Sequence, residues 1–260
     1  MEIYGYLASI FVGLILGILG GGGSILTIPI LVYIFHLDVV TASAYSLFIV
    51  GITSLAGSIP KYKDHLVNLR TGILFGLPSI ITIFITRKWI VPAIPEVLFD
   101  YSTVVLTKRM LLLGIFALLM ILAAIAMLKE EKPLIHHEQS NKGLLISIEG
   151  SLIGFLTGLV GAGGGFLIIP ALVLLTGLPF KTAVGTSLFI IAINSLMGFM
   201  GDVLNFQMDW IFLLTFTTLA VCGILIGTHV CKYISSAKLR RSFAWFVLIM
   251  GCWILIAELM

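Results

Sequence analysis

Apolar residues run along this chain in long blocks, and polar residues gather in short stretches between them. The first half has blocks at Leu7 to Leu19, Ile25 to Phe35, Thr41 to Ile59, Thr71 to Thr86 and Met110 to Leu128. The second has them at Leu144 to Val160, Phe166 to Thr176, Thr182 to Met200, Trp210 to Val230 and Phe243 to Leu259. Several approach the ~20 residues that carry a helix across a bilayer, and together they fill nearly the whole length. The pattern predicts an all-α polytopic membrane protein with about eight spanning helices. No soluble domain fits it.

The pattern is interrupted at "ILGGGGSILTIPIL", Ile18 to Leu31, where four glycines stand together. Each glycine costs a helix roughly 1 kcal/mol relative to alanine, so a helix entering this run should break. The block that follows is about 11 residues, or roughly 16 Å of helix, too short for a ~30 Å hydrocarbon core. A half-helix or re-entrant arm is expected there, beginning at Ser24.

The same break returns. "GFLTGLVGAGGGFLIIPALVLLTGLPFKTAVGTSLFIIAINSLMG", from Gly154, aligns without a gap on "GLILGILGGGGSILTIPILVYIFHLDVVTASAYSLFIVGITSLAG", from Gly13. Gly13, Gly17, Gly20, Gly22 and Gly23 fall on Gly154, Gly158, Gly161, Gly163 and Gly164; Pro29 falls on Pro170, Ser46 on Ser187 and Ser54 on Ser195. About half of roughly 45 positions are identical, beyond what two unrelated apolar stretches share, and this reads as an internal repeat. The expected organisation is a first transmembrane repeat over 1–128, a polar linker over 129–142 and a second repeat over 143–260, with the second short arm beginning at Gly165. Pro29 and Pro170 lie too deep for a first-turn position and are expected to kink or end their arms.

Composition adds the chain's limits. Of 260 residues 60% are hydrophobic and 10% charged, with a mean hydropathy of +1.18, against about 25% charged residues in a soluble domain. The first block has no basic leader and is followed by glycines rather than a cleavage site, so it is expected to stay in the mature fold. A net charge of +3 confined to loops speaks for orientation and against nucleic-acid binding. The loop "PKYKDHLVNLR" is basic, whereas its counterpart around "GDVLNFQMDW" carries Asp202 and Asp209 and no base. Such a contrast points to an inverted repeat with the basic loops, including the linker and "KYISSAKLRRS", on the cytoplasmic side. The loop from Arg87 to Arg109, with Lys88 and Lys108, argues the other way. Cys222, Cys231 and Cys252 form no CxxC pair and read as small apolar residues.

A broken helix in a bilayer leaves unpaired N–H and C=O groups, which survive where protein or a polar cavity surrounds them. Two breaks at aligned positions make a place for a ligand, and helix N-termini favour an anion. The candidate binding residues are Gly21, Gly22, Gly23 and Ser24 in the first break and Gly163, Gly164 and Gly165 in the second. Polar residues of the following helices join them: Ser46, Thr53 and Ser54, and Thr186, Ser187, Asn194 and Ser195, of which Ser46, Thr53, Thr186, Ser187 and Asn194 are expected to bind the ligand. Packing is the competing reading of the wider spacings Gly13, Gly17 and Gly154, Gly158. Glu149 reads as an interfacial or proton-coupling carboxylate, and Lys181 as a snorkelling or anion-attracting base. His36 and Asp38 are expected to face water. "IHHEQ", with His136 and His137, lacks a ligand set, and neither a metal, a cofactor nor catalysis is expected.

Two glycine signatures, each with a downstream proline and a T-S or S-L helix, resemble the sulfite exporter TauE/SafE family of membrane transporters, the second copy more closely. Tyr45 stands opposite Thr186, so the halves need not contribute equally. The resemblance implies export of a small sulfur-containing anion, sulfite or an organosulfonate, across a prokaryotic plasma membrane, with a homodimer left open. No G-x-x-x-x-G-K-[ST] sequence occurs, which points to a secondary transporter cycling by alternating access, or to a facilitator. The alternatives are an importer, a carrier of another small anion, and a membrane thiol-redox protein, whose paired cysteines are missing from both glycine runs.

Overall fold

The computed structural model describes residues 2–101, 104–129, 142–160, 164–174, 176–203 and 208–259. Helix α1 (Glu2–Leu19) stops at the glycines and α2 (Gly22–Pro29) resumes beyond them. Next come α3 (Val39–Lys63), α4 (Leu69–Ile85) and the short α5 (Val91–Ala93). A β-hairpin, β1 (Val97–Tyr101) with antiparallel β2 (Val104–Thr107), leads into α6 (Lys108–Leu128). The second half has α7 (Lys142–Val160), α8 (Gly165–Leu174), α9 (Phe180–Asp202), α10 (Trp210–Cys231) and α11 (Ser236–Leu259). Among the described residues seven helices are long and apolar enough to cross a membrane, while Leu7–Leu19, Ile25–Ile34 and Gly165–Leu174 are shorter.

Several boundaries differ from expectation for physical reasons. Helix α2 starts at Gly22, ahead of Ser24, because a φ of +74° at Gly20 makes the reversal before the last glycines are reached. Pro29 ends α2 by widening its winding: the next turn, Ile30–Ile34, closes with Phe35 N–H donating to Ile30 O at 3.3 Å. Pro170 stays inside α8. Helix α11 begins at Ser236, well before Phe243, since the polar stretch "SSAKLRRS" continues the helix beyond its apolar part. The hairpin is a departure from an all-helical chain, in a long segment between apolar blocks whose stretches Val97–Tyr101 and Val104–Thr107 are rich in strand-forming residues. Of the expected linker over 129–142, residues 130–141 lie outside the described residues, with His136 and His137.

The path of the chain follows from the contacts. Helix α1 runs parallel to α10, with Gly13 against Ala220 and Gly17 against Ile224, and the chain then returns through α2 so that Phe35 packs on Gly5. The first arm is therefore a helical hairpin that enters and leaves at one end. Helices α3 and α9 run antiparallel: Ser43, near the start of α3, and Asp202, at the end of α9, both bind Arg87, while Gly185, near the start of α9, abuts Leu66 just past α3. Helices α6 and α11 are antiparallel as well, Gly251 lying on Met120 and Arg240 binding Met127 O at 3.2 Å.

Aligned positions make matching contacts. Gly154 and Gly158 of α7 press on Ser79 and Thr86 of α4, as Gly13 and Gly17 of α1 press on the aligned Ala220 and Gly227 of α10. Here the glycines let backbones touch, so the packing reading of these spacings describes both seams. Leu37 N–H donates to Leu31 O at 3.1 Å and the aligned Leu178 N–H to Leu172 O at 3.3 Å, closing the turns that follow α2 and α8. Between those bonds His36 and Gly177, also aligned, both take a positive φ.

Two ends result. At one, the α3–α4 and α10–α11 connections and the end of α6 gather, held by Asp64 to Lys232 at 2.7 Å and by Arg240 to Lys129 O at 2.9 Å. At the other lie the turn before α3, the β-hairpin, the end of α9 and the start of α10, with Phe35 stacked edge-on to Phe212 at 4.8 Å.

Candidate functional site

The two glycine breaks meet in the middle of the molecule. A Cβ on Gly165 would lie 2.5 Å from Gly21 Cα and 2.6 Å from Ile191 Cδ1; one on Gly20 would lie 3.2 Å from Ser187 Oγ. Nothing larger than hydrogen fits where Gly21 and Gly165 touch, which is why these positions are glycine. Gly164 has φ +69°, the left-handed conformation that launches α8, and its Cβ direction faces Thr157 of α7. Gly21 offers no capping side chain to the first turn of α2. Both short helices thus begin next to α9, with their N-terminal N–H groups at the break. Gly163 lies outside the described residues, and Gly22, Gly23 and Ser24 form the first turn of α2.

A set of buried polar atoms on α3, α7 and α9 has no hydrogen-bond partners among the described residues. They are Oγ of Ser46, Ser54 and Ser195, Oγ1 of Thr53 and Thr157, and Oδ1 of Asn194. Ser46, Thr53 and Ser54 share one face of α3 by helical spacing; Ser187, Ile191, Asn194 and Ser195 share one face of α9, and that face touches Gly20 and Gly165. Each such group left unpaired away from water costs roughly 1–3 kcal/mol. Thr53 and Asn194, and Ser54 and Ser195, are aligned pairs, so both halves contribute to the set. Among the described residues the buried charged side chains are Lys61, Arg87, Lys108 and Asp202, all at helix ends, so the centre itself presents dipoles and hydroxyls rather than ions.

Other expected residues take different partners. Thr186 Oγ1 accepts from Asn68 N–H at 2.9 Å, and the aligned Tyr45 hydroxyl accepts from Asp209 N–H at 2.7 Å; each ties α9 or α3 to the start of the next helix of the other half. Ser187 donates to Val184 O at 2.8 Å, within its own helix. Asn194 Nδ2 donates to Ser79 Oγ at 2.6 Å, which meets half of its amide and leaves Oδ1 open. Lys181 reaches Lys232 O at 3.3 Å near the basic end, away from the breaks. Glu149 is half-buried on α7, without an ion pair among the described residues. Thr157 and Ser79 were not anticipated: Thr157 faces Leu16 in the aligned half and Ser79 faces Ala220, so comparing the halves concealed them.

The chain is similar to curated membrane proteins over nearly its whole length. It is 29% identical over 256 residues to a protein named probable membrane transporter protein from Xylella fastidiosa (strain 9a5c), covering 94% of this chain and 91% of that one. It is 26% identical to the probable membrane transporter protein YdhB of Bacillus subtilis (strain 168), covering 91% and 93%, and 28% identical to a probable membrane transporter protein of Methanocaldococcus jannaschii, covering 95% and 94%. No solved structure matches it. The profile of the sulfite exporter TauE/SafE family matches residues 6–254, and with paired glycine breaks facing each other in a multi-pass helical membrane protein, the chain belongs to that family of transporters.

Proposed function

We propose that this transporter exports a small sulfur-containing anion, sulfite or a short organosulfonate, through the site between the two glycine breaks. The observation that carries the reading is the unpartnered set Ser46, Thr53, Ser54, Thr157, Asn194 and Ser195, on α3 and on α7 and α9, the two helices that touch the breaks. Hydroxyls can turn their protons toward an anion, and the N–H groups that open α2 and α8 add the positive ends of two helix dipoles. Exchanging the two ends of the Asn194 amide lets Ser79 donate to oxygen and aims both amide N–H groups at the guest. In this proposal Gly21 to Ser24 and Gly163 to Gly165 supply backbone, and Ser46, Thr53, Ser187 and Asn194 supply side chains. Thr186 holds its helix rather than the anion.

The transport cycle we infer is a rocking of one half, 1–128, against the other, 143–260, about this site. Support comes from α3 and α9, which occupy aligned positions yet run in opposite directions, as inverted repeats would. The basic end is read as cytoplasmic. The loop that argued otherwise has its bases engaged: Arg87 binds Asp202, Lys108 lies 3.6 Å from Glu96, Lys88 sits over the Phe84 and Trp89 rings, and Arg109 over the Tyr33 ring. A thiol-redox role finds less support, since Cys222 and Cys252 are exposed along helices and Cys231 closes α10, remote from either glycine run in sequence.

The test is thermal stabilisation of the purified protein by sulfite, sulfate, thiosulfate, methanesulfonate and chloride, with sulfite efflux from proteoliposomes alongside. Saturable stabilisation by one sulfur anion, lost in Asn194→Ala and in the Gly163→Leu, Gly164→Leu variant while the fold persists, is the expected result. Stabilisation by none of them, with no efflux, would remove the sulfur assignment.

A further inference from the structure

Arg87 is fully buried in the wide turn Thr86–Ile90 that extends α4, in a chain whose interior is otherwise almost uncharged. Its Nε donates to Asp202 Oδ2 at 2.8 Å, its Nη2 donates to the same oxygen, and Nη1 donates to Ser43 Oγ at 2.9 Å. Two of the five guanidinium N–H groups have no partner among the described residues, and neither does Asp202 Oδ1. Arg87 and Asp202 line a cavity of about 400 Å³ together with Asp38, Glu96, Lys108, Val91 and Pro92.

The charges around the cavity are unequal in their freedom. Asp38 is exposed, and its carboxylate accepts from Val40 N–H at 2.9 Å and Thr41 N–H at 3.4 Å, capping α3. Glu96 is 82% exposed, whereas Lys108, its neighbour at 3.6 Å, is 7% exposed. The two bases are thus held inside and two of the three acids stand outside. A small oxyanion that enters meets a buried guanidinium fork and a buried ammonium, opposed by the single carboxylate of Asp202.

The pair is not something the fold requires at this corner. The position aligned with Asp202 in the first half is Lys61, a residue of opposite charge, which is buried at the end of α3 with its Nζ 3.1 Å from Cys231 Sγ. The same architecture therefore folds there without a carboxylate. What Asp202 does beyond folding is to occupy two N–H groups of Arg87 with one anionic oxygen, a place that an oxygen of a sulfonate or sulfite can take.

We propose that this cavity is a second anion site, at the end opposite the basic loops, in which Arg87 and Lys108 take a small oxyanion and Asp202 is the resident carboxylate that the anion displaces. It rests on the anion-transport reading for its biological use, with the path leading from the central site to this mouth. Its chemistry stands separately. Displacement frees α9 from α4 and α3 at their shared end, which couples arrival of the anion to loosening of the mouth.

The experiment measures half-saturating methanesulfonate for stabilisation of the purified full chain at constant ionic strength. Asp202→Asn should lower it by about ten-fold or more, since the competing carboxylate is gone while the guanidinium stays. Adding Arg87→Gln should abolish that gain, and adding Asn194→Ala should leave it in place. No gain in Asp202→Asn, or a gain that survives Arg87→Gln, overturns the proposal. If Asp202→Asn fails to fold, Glu96→Cys in a chain with its three cysteines changed to serine reports on the intact pair. Methanesulfonate should slow its reaction with a neutral thiosulfonate reagent and gluconate should not; equal rates overturn the site. Loss of the central response alone, with the Arg87-dependent gain retained, would sink the reading of the glycine breaks and leave this one standing.

Discussion

Thr53 and Asn194 occupy aligned positions on α3 and α9, yet substitution should affect them differently. The Thr53 hydroxyl is buried without a partner, so Thr53→Val removes a polar group that the empty protein has no use for. The empty variant should gain up to about 1–3 kcal/mol and melt higher, and lose its response to the transported anion. Asn194→Ala also removes the bond to Ser79 and side-chain volume, so it should melt lower. Thermal unfolding with and without sulfite separates the two; an unchanged sulfite response in Thr53→Val would assign that hydroxyl to packing. Glycines divide as sharply. Gly165→Ala places a methyl 2.5 Å from Gly21 Cα, where backbone must move, and should cost well above 1 kcal/mol. Gly114→Ala, with nothing within 4 Å inside α6, should stabilise by about 0.5–1 kcal/mol. A shared sign in those two melting shifts would contradict the close approach of the breaks.

Helices were legible in the sequence because burial in lipid demands long apolar blocks, and the block centres match the helices closely; their ends drifted outward because polar residues such as those of "SSAKLRRS" prolong a helix once it has started. The hairpin path of α1 and α2 was only half legible: short length announced an arm, but the direction of return depends on Gly20 and on Phe35 packing on Gly5, which no periodicity records. Arg87 and Asp202 could not be paired from a chain in which 115 residues separate them, and Arg87 read as loop charge because it follows an apolar block directly. Between elements, the bonds from Asp209 N–H to Tyr45 and from Asn68 N–H to Thr186 form the clearest test of equivalence. Tyr45→Phe and Thr186→Val should each destabilise by about 1 kcal/mol, and the double variant by the sum, because the two bonds lie at opposite ends. Denaturation of the four proteins in one detergent measures this; strong non-additivity would mean that the two helix starts are not independent.

The whole molecule presents one end rich in exposed bases and another whose bases are buried or lie over aromatic rings, and that contrast predicts an orientation. Exposed Lys63, at the end of α3, Lys232, after α10, and Lys238 and Arg241, in the first turns of α11, stand at the first end. At the second end Arg87 and Lys108 are buried and Lys88 and Arg109 lie over aromatic rings. Retention of cytoplasmic loops follows the excess of Lys and Arg near the helix ends, so the first end should face the cytoplasm. In a chain with its three cysteines replaced by serine, Glu96→Cys and Lys238→Cys place one thiol at each end. A membrane-impermeant maleimide applied to intact cells should label the Glu96→Cys protein, and the Lys238→Cys protein after permeabilisation alone. The converse would turn the molecule over and make the Arg87 cavity an intracellular mouth, suited to loading an exported anion rather than releasing it. Labelling of both from outside would place the two ends on one side, which antiparallel α3 and α9, each long enough to cross the membrane, do not permit.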